Sequence, residues 1–181
     1  MTSPFHSVEI CMISTPDGVI DVNGRSRPLG GPADQARLIA LRGAASPSKP
    51  GLRIAVVTKT CALDFSSPLF SSGAGLVATT VNAPALSVDS VRAGETDVDM
   101  AGIIAQLPHG VVHVEGGPML NAALFDADCV DAINLTMSPR LGGFRAPSLS
   151  QAPHAIRHFT CVSLTTDSDF VFARYEKVTT A

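Results

Sequence analysis

Only 16% of the 181 residues are charged, and the small excess is acidic, a formal −3 at neutral pH. Without a basic field there is nothing to gather a polyanion, which argues against nucleic acid or an anionic membrane as a partner. No apolar run approaches the roughly 18 residues of a membrane span, and the opening Met1-Thr-Ser-Pro-Phe-His-Ser lacks the basic flank and apolar stretch of a secretory signal. A cytoplasmic location is expected. Cys11, Cys61, Cys129 and Cys161 form no C-x-x-C pair, and each sits in or beside an apolar stretch. Small buried hydrophobes are therefore expected, rather than a metal site or disulfide. The five histidines show no H-E-x-x-H spacing. His113 and Glu115 share one face of a strand, but other zinc ligands are lacking there. What is abundant is apolar material, 45% of the chain. A single domain over residues 1–181 is expected, large enough to bury about two thirds of its unfolded surface without staples.

The most informative stretch is Val111-Val112-His113-Val114-Glu115-Gly116-Gly117-Pro118-Met119-Leu120-Asn121. β-Branched residues predict a buried strand, the glycines a sharp turn, and the proline a helix start. Free N–H groups at a helix start carry partial positive charge, and glycine leaves them uncovered, so the turn suits a phosphate. A tight turn with a solvated Glu115 accounts for the residues equally well.

From the N-terminal side, Val8 to Ser14 predicts a buried strand ending in the turn Thr15-Pro16-Asp17-Gly18. A polar loop from Asn23 to Gly31 carries Arg25 and Arg27, as a lid over a pocket or as a solvated connection. Pro32 opens a helix running to about Ala44, with Leu38, Ile39 and Leu41 to bury. The turn-rich Ala45 to Gly51 leads into a strand, Arg53 to Thr58, followed by Lys59 and Thr60. A cation between two hydroxyls at a strand's end suits a phosphate, and also suits plain solvation. Further expectations are strands at Leu76 to Val81 and 85–89, a helix from Val98 to Leu107, a helix from Pro118 to Ala127 and a strand from Val130 to Ser138. Pro139 to Pro153 predicts a loop, and His158 to Thr165 with Phe170 to Val178 a terminal hairpin. Alternating strands and helices closed by a hairpin predict an α/β fold: a mostly parallel central sheet, helices on both faces, an antiparallel C-terminal edge. Ligands of such sheets bind beyond the carboxyl ends of the strands, a rim expected to carry Thr58 to Thr60, Thr79 to Thr80 and Glu115 to Gly117.

Three blocks together carry a resemblance: Ser14 to Gly18 with Gly24 to Asp34, then Val114-Glu115-Gly116-Gly117-Pro118, then Val130 to Gly143 with its Ser138-Pro139. They resemble the pyrimidine reductase domain of riboflavin biosynthesis, the RibD C-terminal domain, which has the dihydrofolate reductase fold. The resemblance implies an NADPH-dependent reductase acting on a phosphoribosylamino pyrimidine, with hydride passing from the nicotinamide to an imine carbon. It implies Gly116 and Gly117 at the cofactor pyrophosphate, Thr58, Lys59 and Thr60 near the 2′-phosphate, and Thr79 near the adenine. Glu115 and Asp17 would face the substrate as catalytic residues, and Ser26 with Arg42 would bind its sugar phosphate. The family's terminal strands also imply a homodimer. A cation among hydroxyls favours NADPH over NADH on chemical grounds too.

The chain departs from that family in two places. Members usually follow the first helix with a further strand and a Gly-rich turn that gives a second grip on NADPH, whereas here the helix runs through Ala45 to Gly51 straight into the strand at Arg53. Val19 stands where biosynthetic members often carry a lysine, and no cytidine-deaminase half is present. Each charge-assisted hydrogen bond lost from a pyrophosphate grip is worth about 1.5 to 3 kcal/mol. A reductase-like protein without catalysis, serving as a ligand-binding or assembly module, is therefore the competing expectation.

Overall fold

The computed structural model describes residues 6–45, 53–143, 148–150 and 155–178. Their contacts form two compact units, one of residues 53–109 and one of residues 6–45 with 110–178.

The second unit is built on a five-stranded sheet. In chain order its elements are β1 (His6–Ser14), α1 (Pro32–Ala45), β5 (Gly110–Val114), α4 (Pro118–Asp126), β6 (Ala132–Met137), β7 (Phe159–Asp167) and β8 (Phe170–Lys177). Strand order is β5-β1-β6-β8-β7. β1 runs parallel to β5 and β6, while β8 runs antiparallel to β6 and to β7. The two-residue turn at Ser168 and Asp169 has φ of 50° and 70° at its centre, the conformation whose twist matches paired strands. Alternate residues of β1 face opposite ways. Val8 and Ile10 are 2% and 0% exposed, and Met12 on that face meets the start of α4 at Gly116. Cys11 and Ile13 point to the other face, toward α1. Ile13 packs there with Leu29, Phe170 and Phe172.

The first unit holds β2 (Ile54–Val57), α2 (Pro68–Ser71), β3 (Gly75–Thr79), β4 (Ser90–Arg92) and α3 (Met100–Ile104). Its three strands are parallel in the order β2-β3-β4. Every residue of β3 is buried. Val77 packs with Cys61 and Phe70, and Ala78 with Ala93 and Ile103. The expected fold class is therefore present, divided between two sheets.

Several expectations need correction. The strand expected at 85–89 is Ser90–Arg92 instead, because the Arg92 guanidinium donates to the carbonyls of Ala83 and Pro84 and holds the preceding residues as a loop. α3 is shorter than expected and starts later, where the Asp99 carboxylate accepts from the Gly102 amide. The short helix α2 was not anticipated. Ile39, expected in the core, is 67% exposed; it lies about 100° around the helix from Leu38. Of the cysteines, Cys11 and Cys61 are buried as expected, but Cys129 is only half-buried and Cys161 is exposed. The linker expected from Ala45 to Gly51, beyond Ala45 itself, lies outside the described residues, as does much of the loop from Pro139 to Pro153.

Candidate functional site

A cavity of about 310 Å³ opens in the second unit. Cys11, Met12 and Ile13 of β1 and Asn134 and Thr136 of β6 lie along the sheet side. α1 contributes Asp34, Arg37, Leu38 and Leu41, the loop after β1 contributes Ile20, Asp21, Gly24 and Ser26, and the β5–α4 junction contributes Glu115, Gly117 and Pro118.

That loop is firmly held. Val22 and Arg25 exchange backbone hydrogen bonds across a turn of Asn23 and Gly24. Leu29 is 2% exposed, and its carbonyl accepts from the Ser138 hydroxyl and from Arg140, each at 2.7 Å. Residues read as a lid or a solvated connection thus form part of the cavity wall.

Glu115 follows β5, and the Arg42 guanidinium of α1 grips both its oxygens, at 2.5 and 2.6 Å. His113, two residues back on the same strand face, lies with Nε2 3.4 Å from Glu115 Oε1. That is an ion-pair distance without hydrogen-bond alignment, and Nε2 has no hydrogen-bond partner. His113 and Arg42 together hold the Glu115 carboxyl down to about 2, against the opposing effect of burial. Asp34, on the first turn of α1, behaves oppositely: burial pushes its pKa up, and a hydrogen bond from Thr136 offsets this only in part. Of the three carboxyl residues lining the cavity, Asp21, Asp34 and Glu115, the last two are driven apart, Glu115 a fixed carboxylate and Asp34 readier to hold a proton, a pairing that separates acid from anion roles. Asp34 escaped sequence reasoning because an acid in a helix's first turn is so common that it marks no cavity.

Glu9 and Glu115 both have lowered pKa values, Glu9 chiefly through Arg174. A carboxyl whose folded value lies below its unfolded value stabilises the fold above the unfolded value and loses that contribution as pH falls toward the folded one. Thermal unfolding followed by circular dichroism should therefore show Tm dropping as pH falls from about 4.5 to about 2. Asp34 acts in the reverse sense and offsets part of the loss. Glu115→Gln should make the drop shallower, and an unchanged slope would contradict the linkage.

The remaining candidates are placed as follows. The Asp17 carboxylate accepts from the Thr15 hydroxyl and from the amides of Gly142 and Gly143, at 3.2 and 3.0 Å. Thr15 first, and then those amides, hold its pKa below the usual carboxylate range. Asp17 ties the turn after β1 to the loop after β6 and is not among the cavity-lining residues. Ser26, Arg42 and Glu115 lie in one unit, and Ser26 and Glu115 both line the cavity. Gly116 and Gly117 have φ of 69° and 87°, and a side chain at Gly117 would meet nothing within 4 Å. With ψ of 157°, Gly117 occupies a region nearly restricted to glycine. Its bare backbone and the first N–H groups of α4 form a cradle of the kind that takes a phosphate. Thr58, Lys59, Thr60 and Thr79 belong to the other unit. Lys59 is exposed and paired with Asp97 at 2.6 Å. The Thr58 hydroxyl accepts from the Cys61 amide. Thr79 is fully buried, its hydroxyl 3.3 Å from Cys61 Sγ.

Residues 30–172 match the family described as the RibD C-terminal domain. No curated protein gives a match. Among solved structures, a pyrimidine reductase-like protein from Corynebacterium diphtheriae superposes with a TM-score of 0.80 at 18% identity, covering 96% of this chain and 92% of its own. RibD from Acinetobacter baumannii gives a TM-score of 0.75 at 14% identity over 98% of this chain, which spans 59% of that longer protein. Dihydrofolate reductase from Enterococcus faecalis, in complex with NADP(H), gives 0.54 at 14% identity, covering 94% and 96%. At these identities the superpositions establish the fold alone.

Proposed function

The chain belongs to the RibD C-terminal domain family, and from that premise we propose that it is an NADPH-dependent reductase of a phosphoribosylamino pyrimidine or a similar imine-forming substrate. The observation that carries this is a cavity that brings together a fixed carboxylate, Glu115, a carboxyl readier to hold a proton, Asp34, and Gly117 of a bare Gly-Gly turn at a helix start.

The residues present fit the cofactor at its pyrophosphate: Gly116, Gly117 and the N-terminus of α4 would hold it. When bound, NADPH supplies hydride to the imine carbon. The protein's own part is to orient the substrate and to manage charge. Asp34 gives its proton to the nitrogen of the neutral imine, and Glu115 faces the cation so formed as its counter-charge, so that the hydride taken up at carbon leaves CH–NH. Arg42 and Ser26 hold the sugar phosphate, which competes with Glu115 for the guanidinium, and Asp17 shapes the mouth by fixing the loop after β6. Titration of the protein with NADPH, with NADH as control, should give a saturable shift in thermal stability and cofactor fluorescence, followed by substrate-dependent NADPH oxidation. No response at cellular concentrations would end the proposal.

A second function, ligand binding or assembly without turnover, is favoured by one observation. Val19, where a lysine is common in the family, is 3% exposed and packs against Gly142, so the cavity receives no cation from that position. NADPH binding without oxidation of any phosphoribosylamino pyrimidine would favour it.

We also assign a homodimer, formed by β7. Among the described residues this nine-residue strand pairs only with β8, and it bears Val162 and Leu164, 49% and 65% exposed. An open, apolar edge strand is a template for another strand, and a second copy about a twofold axis supplies one without leaving a new edge. Leu164→Lys should halve the mass measured by light scattering. An unchanged mass, or a monomer in the parent protein, would refute the assignment.

A further inference from the structure

Beneath the Arg42–Glu115 pair runs a chain of contacts that the proposed reaction leaves unused. Cys11 of β1 lies with Sγ 3.1 Å from His113 Nδ1 of β5. The His113 side chain is 8% exposed, and its Nε2, without a hydrogen-bond partner, is 3.4 Å from Glu115 Oε1. An unpartnered polar atom this deeply buried is costly unless something is to meet it.

The proton positions follow from the neighbours. Asn134 Nδ2 donates to Cys11 Sγ at 3.5 Å, occupying a sulfur lone pair. Burial pushes the Cys11 thiol up to about 12, so it keeps its proton and is no nucleophile. That proton has two acceptors, His113 Nδ1 at 3.1 Å and the Glu9 carbonyl at 3.7 Å, and the nearer is the imidazole. Nε2 faces an ionised carboxylate, where a bare lone pair would be repelled and an N–H attracted. Both ends thus select the same tautomer.

Resting on the reductase reading above, we propose that Cys11 and His113 are positioning residues for Glu115: the thiol donates to Nδ1, which fixes the ring proton on Nε2, and that N–H, 3.4 Å from Oε1 and not yet aligned, closes on Glu115 as a hydrogen bond when a ligand anion draws Arg42 away. Arg42 and Glu115 are 43% and 42% exposed, within reach of an incoming anion, while His113 is enclosed. Glu115 therefore has one partner that can leave and one that stays.

The ring protons can be read directly by long-range ¹H–¹⁵N NMR of the full chain at neutral pH, with His113 assigned by the signal lost in His113→Gln. The expected spectrum has Nε2 protonated and Nδ1 bare. Cys11→Ser, which keeps a donor, should preserve it, and Cys11→Ala should give a tautomer mixture. Nδ1 protonated in the parent protein, or a ring indifferent to Cys11→Ala, overturns the proposal; the first result is available even if the alanine variant does not fold. In the assay, Cys11→Ala should lower kcat about fivefold or more, roughly 1 kcal/mol, with KM little changed, and Cys11→Ser should restore it. Unaltered kcat in Cys11→Ala would also overturn it. The spectrum needs neither substrate nor cofactor, so it remains decisive for the ring if the protein proves not to be a reductase.

Discussion

Glu115→Gln is expected to lower substrate turnover by about 10²-fold or more while NADPH affinity stays within about twofold. Glutamine keeps the size of the side chain and removes the negative charge, so the loss falls on the step in which positive charge develops on the imine. The Arg42 grip also weakens, because two charge-assisted hydrogen bonds of 2.5 and 2.6 Å lose their anion. Both side chains are over 40% exposed, and ion pairs this open contribute at most about 1 kcal/mol to stability. Folding is therefore spared, and the kinetic effect is not a disguised unfolding. Steady-state NADPH oxidation at 340 nm, with thermal shifts in parallel, checks both halves. Turnover equal to the parent protein's would remove Glu115 from the chemistry.

Glu9→Ala is expected to cost about 3 kcal/mol of stability, the low end for breaking a buried pair. Glu9 sits on β1, an interior strand of the five-stranded sheet, 12% exposed, and receives Arg174 through both oxygens at 2.7 and 2.9 Å and Asn134 at 3.0 Å. Truncation strands a guanidinium that is only 25% exposed. Its remaining anion is Glu176, at 3.0 Å. Replacing both members with apolar residues, as in Glu9→Leu with Arg174→Met, should cost much less, because desolvation of the two charges offsets most of their attraction. Urea denaturation of the two single variants and the double variant tests this. A double variant as unstable as the sum of its parts would show that the pair is uncoupled.

The fold was legible where pattern and punctuation agree. Valines leading into Gly116-Gly117-Pro118 gave β5, the turn and α4 with the end of the helix misplaced by one residue, and Thr166 to Asp169 gave the hairpin. Errors arose where a distant side chain decides the matter. Arg92 fixes the loop at 83 and 84 from nine and eight residues away, and no local propensity encodes that. The site was legible in part. Glu115 and Gly117 announced themselves through an unusual block, and Ser26 through its family context. Asp34 and His113 did not, because each acquires meaning only from neighbours across the sheet: Thr136 for the one, Cys11 for the other.

β1, early in the sequence, lies inside the five-stranded sheet, and its parallel neighbours pair His6 with Gly110 and Glu9 with Ala132. At synthesis rates of about 5–20 residues per second, this apolar strand waits on the order of ten seconds for its first partner to emerge. Such long-range pairing also slows refolding, since loop closure precedes any gain from contact. The cavity floor, which needs β1, β5 and β6 together, can form only late. During that interval Val8, Ile10 and Ile13 are open to wrong partners, so the yield of active protein should depend on temperature and concentration during folding more than on the stability of the finished molecule.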